Sequence, residues 1–151
     1  MTVYFFDSSA LLKRYITESG TAWVQATVLR NAGNEIFIAQ MTLVELTTAL
    51  ARRKREKTIS ARTAHAARLL IDRHARREWF IVPLSSPIIK RAQDLGDVQP
   101  LRASDAIQLA SALEANGRLV GASQPPLTFV CADTRLLTAA ASEGLPTHNP
   151  V

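Results

Sequence analysis

The chain has 151 residues, with 18 Lys and Arg against 13 Asp and Glu, a formal net charge of +5, 47% hydrophobic residues and a single cysteine. One cysteine excludes an internal disulfide and a cysteine metal site, and no apolar stretch approaches the roughly 20 residues of a membrane span. Asp7 also breaks the N-terminal apolar run too early for a signal peptide, so the expectation is one domain over residues 1–151, in a reducing cytoplasm and away from membranes.

The first strand is Val3–Phe6, an apolar run ending in Asp7, Ser8 and Ser9. Leu11, Leu12 and Tyr15 then recur at helical spacing and predict a helix over residues 9–17. After a turn at Glu18-Ser19-Gly20, a second helix carries Trp23, Val24, Ala26, Thr27 and Val28 and stops at residues 31–34. Glu35–Ala39 is a second buried strand. Thr42 to Glu45 opens a third helix, with Leu46, Ala49 and Leu50 on its apolar face and the basic stretch 51–57 at its far end.

Ser60 is the expected N-cap of a fourth helix, with Ala64, Ala67, Leu70 and Ile71 inward and Arg62, Arg68, Arg73, Arg76 and Arg77 outward. A third strand spans 79–83. Ser86-Pro87 starts the next helix, with proline at its first position, ending near Gly96. Ser104-Asp105 starts another, whose face of Ile107, Leu109, Ala110 and Leu113 closes at Asn116-Gly117. Residues 117–126 read as a loop, 127–131 as a fourth strand, Thr134–Ser142 as a last helix stopped at Gly144, and 145–148 as a short final strand. Cys131, inside TFVCA, reads as a small core residue.

Strands alternating with helices predict an α/β fold, a three-layer α/β/α sandwich around a mostly parallel sheet. Such a sheet delivers residues that follow its strands to one edge, where ligands bind. Asp7, Glu45 and Asp133 all follow strands, and Asp105 opens a helix. Singly, each acid reads as a helix cap, and Thr42-x-x-Glu45 is a formal capping box.

Jointly, these four carboxylates in one volume call for a hard divalent cation, Mg²⁺ or alternatively Mn²⁺, which takes oxygen ligands and keeps waters for chemistry. Zinc is disfavoured, because His65, His74 and His148 form no cluster; His65 and His74 are assigned to a solvated helix face. Setting aside these four acids leaves the basic residues still more dominant, which suits a polyanion. An oxygen-only metal site on a basic protein points to phosphodiester hydrolysis by metal-activated water. No phosphate-binding glycine loop and no GxSxG motif competes.

Four segments, DSSALLKRY, TLVELTTALARR, LRASDAIQLASAL and FVCADTRLLTAAASEGLP, resemble, in that order and at the same small chain size, the PIN-domain ribonucleases, in particular the VapC-like toxins of toxin–antitoxin pairs. The resemblance spans essentially the whole chain. It implies a Mg²⁺- or Mn²⁺-dependent endoribonuclease acting on single-stranded RNA, usually a homodimer and held inactive by a cognate antitoxin. It assigns the catalytic and metal-binding positions to Asp7, Glu45, Asp105 and Asp133; Ser8 stands where threonine is more usual.

Ser8, Ser9 and Ser104 are expected to support the acids. Arg102 is the first candidate for phosphate contact, followed by Arg14 and by Arg52, Arg53 and Arg55. Trp23 and Tyr15 are assigned to packing. Three alternatives stay open: a non-catalytic RNA-binding PIN-like domain, a metal nuclease or phosphatase acting on DNA or small phosphates, and an RNA-maturation nuclease without an antitoxin.

Overall fold

Five short strands pair in parallel throughout: β1 (Val3–Phe6), β2 (Glu35–Ala39), β3 (Trp79–Val82), β4 (Thr128–Val130) and β5 (Thr147–His148), in the order β3-β2-β1-β4-β5. The structure is a computed structural model and describes residues 1–151. Side chains alternate across a strand, so Val3 and Phe5 enter one core while Phe6 enters the other. The first core is closed by α5 (Ser86–Val98), α6 (Ala103–Gly121) and α7 (Thr134–Ser142). The second lies beneath α1 (Ser8–Leu11), α2 (Thr21–Val28), α3 (Thr42–Arg55) and α4 (Ala61–Arg77). This is the expected α/β/α layering, with β1 buried on both faces.

Register decides where the functional side chains go. Phe5 lies opposite Phe37 on one side and Phe129 on the other, where the two rings stack at 5.7 Å. The carboxyl ends of β1, β2 and β4 are therefore level. The chain builds β2 and β3 on one side of β1, then crosses to place β4 on the other, so the strand order reverses between β1 and β4. A crevice forms at such a switch point, outside the carboxyl ends of the strands.

Several sequence expectations need correction. The helix predicted over 9–17 is a single α turn followed by a 3₁₀ turn at Leu12–Arg14. Four consecutive side chains, Ala10 to Lys13, are buried there, which a regular one-faced helix cannot achieve. Gly117 does not close α6, which runs on to Gly121 because Ala112, Leu113 and Ala115 keep it on the core and Leu119 packs there as well. Helix α5 passes Gly96 for the same reason, held by buried Leu95, and its cap is Ser85, which moves Pro87 to the second position.

Leu70, expected inward, is exposed. His74, expected in solvent, is buried, and its Nδ1 lies 2.6 Å from the Tyr15 hydroxyl. His148 lies within β5 and stacks on Trp23 at 4.0 Å. Ser60 caps α4 as expected, accepting from the Thr63 amide at 3.0 Å. Cys131 is buried, and burial pushes its thiol pKa upward. No helix is long and apolar enough to cross a membrane.

Candidate functional site

Asp7 leaves β1 at the switch point and caps α1. Its Oδ1 accepts from the Ala10 amide at 3.1 Å and from the Ser9 hydroxyl at 2.7 Å. Ser9 Oγ in turn accepts from the Ala132 amide at 3.1 Å, tying the ends of β1 and β4 together. Both donors go to one oxygen, so Oδ2 is not spent on either. The cap contributes about 1 kcal/mol. Against it, Asp7 is only 4% exposed, and burial raises its pKa to about 6, with the charge of Glu45 adding to the rise.

Glu45 stands in the first turn of α3. Burial raises its pKa, hydrogen bonds from Gln108 and Ser8 pull it back, and the charge of Asp105 raises it again. The capping box predicted for Thr42 does not form. Thr42 is fully buried inside the helix, and its Oγ1 accepts from Gln108 Nε2 at 2.9 Å. Asp105, in the first turn of α6, pairs with Arg102 Nε at 3.4 Å. Asp133 follows β4 and caps α7, accepting from the Arg135 amide at 2.9 Å. Arg102 Nη2 reaches it at 4.0 Å, so one guanidinium spans Asp105 and Asp133.

The four acids thus form a chain of neighbours: Asp7 beside Glu45, Glu45 beside Asp105, and Asp105 bridged to Asp133. No three of them converge on one point as they stand. The donor chemistry nonetheless fits a hard divalent ion. All the donors are carboxylate oxygens, and burial, with the charge of a neighbouring carboxylate, raises the pKa values of Asp7 and Glu45.

A family model described as the PIN domain matches residues 4–123. The chain belongs to the PIN domain family. PIN domains are generally nucleases. No curated protein matches the chain in sequence. Among solved structures, FitAcB from Neisseria gonorrhoeae is 16% identical and covers 99% of this chain and 98% of its own, with a TM-score of 0.63. VapBC2 from Rickettsia felis, bound to a DNA fragment from their promoter, is 13% identical over 98% of both chains, with a TM-score of 0.64. A toxin–antitoxin complex from Klebsiella pneumoniae is 19% identical over 98% of both chains, with a TM-score of 0.60. These likenesses speak for the PIN fold.

At Glu45 this PIN domain opens a cleft of about 570 Å³, lined by Ser8, Ser9 and Glu45 together with Arg52, Arg53 and Arg55 of α3. Lys13, 6% exposed, pairs there with Glu18 at 3.0 Å, and Arg53 shares that carboxylate at 3.0 Å. Arg102 is exposed at the acid edge. Arg14 is not brought to this site. It pairs with Glu78 at 2.9 Å and lines a separate cavity with Tyr15 and His74. Ser104 is half-buried in the first turn of α6.

Sequence reasoning missed Gln108. It is 1% exposed, and its Nε2 donates to Glu45 Oε1 at 2.6 Å, while its own Oε1 is buried without a partner. An orphaned buried acceptor costs about 1–3 kcal/mol. The available signal was an amide set one turn after Asp105 on the buried face of an Ala/Leu-rich helix.

Proposed function

We propose that residues 1–151 act as one PIN nuclease domain, a divalent-metal-dependent endoribonuclease that cleaves single-stranded RNA as the toxin of a toxin–antitoxin pair. The observation that carries this reading is the succession Asp7, Glu45, Asp105: buried or half-buried carboxylates at a sheet switch point, the first two ionising reluctantly because they are buried beside another carboxylate. Asp7, Glu45, Asp105 and Asp133 would hold Mg²⁺, or Mn²⁺ in its place. Such an ion, when bound, lowers the pKa of a water to make a nucleophile and neutralises charge building on a phosphate.

The chain's own groups do the rest. Ser9 and the Ala10 amide fix the Asp7 carboxylate, and Gln108 does the same for Glu45. Arg102, exposed beside Asp105 and Asp133, is available to a phosphate oxygen, while Arg52, Arg53 and Arg55 offer the cleft a basic wall for the backbone on either side. Nothing in these contacts reads bases, so the reading is a strand-tracking cleft whose affinity comes from phosphates. Arg14, held by Glu78, is left out of this assignment, and Ser104 is kept only as a support beside Asp105.

A cognate antitoxin, a homodimer and a cytoplasmic location complete the proposal. The antitoxin draws support from the solved relatives that are toxin–antitoxin complexes. A second reading, a non-catalytic RNA-binding PIN domain, draws on the fact that no three acids converge.

Cleavage mapping of total cellular RNA with the purified chain separates the two. The nuclease reading expects cleavage that needs Mn²⁺ or Mg²⁺, stops with EDTA and falls by about 10³-fold or more in Asp7→Asn. RNA binding that ignores EDTA, with no cleavage by the wild-type chain, would overturn it.

A further inference from the structure

We propose that Gln108 is a positioning residue, whose buried amide holds the Glu45 carboxylate and so restricts its rotamers before a divalent cation binds. This rests on the reading above, that the acids bind such an ion. Gln108 lies three residues after Asp105, and Thr42 lies three residues before Glu45, so each pair shares a helix face. Gln108 Nε2 donates to both partners across the gap, at 2.6 Å to Glu45 Oε1 and 2.9 Å to Thr42 Oγ1. One side chain thereby joins the first turn of α3 to the first turn of α6, the two turns that carry Glu45 and Asp105.

The amide can face only one way. Turned over, its oxygen would meet the Glu45 carboxylate lone pair to lone pair. In the observed orientation the two N–H groups are used and Oε1 is left buried with no partner. A residue kept here for packing alone would be apolar, as its neighbours Leu109 and Ala112 are, and would strand no acceptor. The orphan therefore points to a role in presenting donors to Glu45. A carboxylate already held in place loses less rotamer freedom when it takes a ligand, and partners of metal-binding side chains typically change metal affinity or activity by about 10–100-fold.

The test uses the full chain with Gln108→Met, which keeps much of the volume and removes the donors, and Thr42→Val, which removes one of the two acceptors that hold the Gln108 amide. Mn²⁺ titration calorimetry, metal-free melting and steady-state cleavage of a single-stranded RNA oligonucleotide are measured on each. The expected result for Gln108→Met is a cooperative melt, Mn²⁺ affinity weaker by about tenfold or more, kcat reduced in parallel and KM for RNA within about twofold of wild type. Thr42→Val moves affinity and kcat in the same direction by less.

Two folded variants that bind Mn²⁺ and turn over like wild type would reduce Gln108 to packing. Should Gln108→Met not fold, Thr42→Val decides alone, and wild-type Mn²⁺ affinity in that variant overturns the proposal. A wild-type chain that neither takes up Mn²⁺ nor cuts RNA defeats the nuclease reading itself, an outcome distinct from a silent Gln108.

Discussion

Two polar clusters are buried in this PIN domain, and they handle charge in opposite ways. Under α2 and α4, Arg14 Nη2 sits 2.9 Å from Glu78 Oε2, an ion pair whose angle falls short of a hydrogen bond. His74 is held neutral there, its pKa lowered by burial and by Arg14, and burial raises the Tyr15 phenol. That cluster closes its own charge. At the carboxyl edge of the sheet, Asp7 and Glu45 receive neutral donors, while Arg102 pairs with Asp105 and Asp133. A cluster that neutralises itself needs only the fold. One that does not leaves Asp7 and Glu45 with no ion-pair partner among the chain's own bases.

Asp7→Asn breaks the contrast most strongly. Asparagine keeps the cap of α1 but removes the uncompensated charge. The wild-type carboxyl has its folded pKa raised from 3.8 to about 6, so its contribution to stability is present below 3.8 and lost as pH rises through about 6. At pH 7.5 that loss is worth about 3 kcal/mol, so the metal-free variant is expected to melt above wild type there, with the gain shrinking towards pH 4. Melting curves at the two pH values check this; a variant that melts lower at pH 7.5 removes the idea that the acid edge is under-compensated.

Glu78→Gln should do the reverse. Removing one partner of the buried pair leaves Arg14 alone and is expected to cost about 3 kcal/mol in urea unfolding. The metal-dependent turnover of the folded fraction should not change. A shift in Mn²⁺ affinity would show that the two clusters are coupled.

The pH responses should also differ in sign. His74 has a folded pKa below its ordinary 6.5, so its contribution is present above that value and lost as pH falls through the folded pKa. His74→Gln should flatten the acid side of the stability profile and leave the Asp7-dependent rise at lower pH in place. Profiles of the single and double variants would separate the two. The smallest effect is expected at the basic wall: Arg55→Gln should lower RNA affinity evenly across sequences and reduce the salt slope of binding by about 1, read from filter binding at several ionic strengths.

Much of the fold was legible because its signals are local. Val3–Phe6 and Glu35–Ala39 are apolar runs bounded by polar residues, and the parallel sheet follows from their alternation with helices. Helix ends were legible where a side chain or a positive φ makes them, as at the Ser60 cap and at Gly144, with φ of 86°. They were not legible where packing overrides a glycine, as at Gly96 and Gly117. Arg14 and Arg102 look equivalent as basic residues near an acid, yet one is held by Glu78 from a distant segment and the other stays exposed at the edge. Gln108 was invisible for the same reason: both of its partners lie more than sixty positions earlier in the chain.

What the sequence determined by itself is the strand and helix periodicity, and with it the fact that Asp7, Glu45 and Asp133 follow strands of a parallel sheet. Hydrophobic alternation and helix signals act over a few residues, so they can be read from a single chain. The tertiary structure decided which charges are neutralised, because a partner's distance and the burial of a carboxyl depend on segments that only folding brings together. The same residue types therefore make an internal ion pair beneath one helix layer and, at the end of the sheet, buried carboxylates that only neutral donors reach.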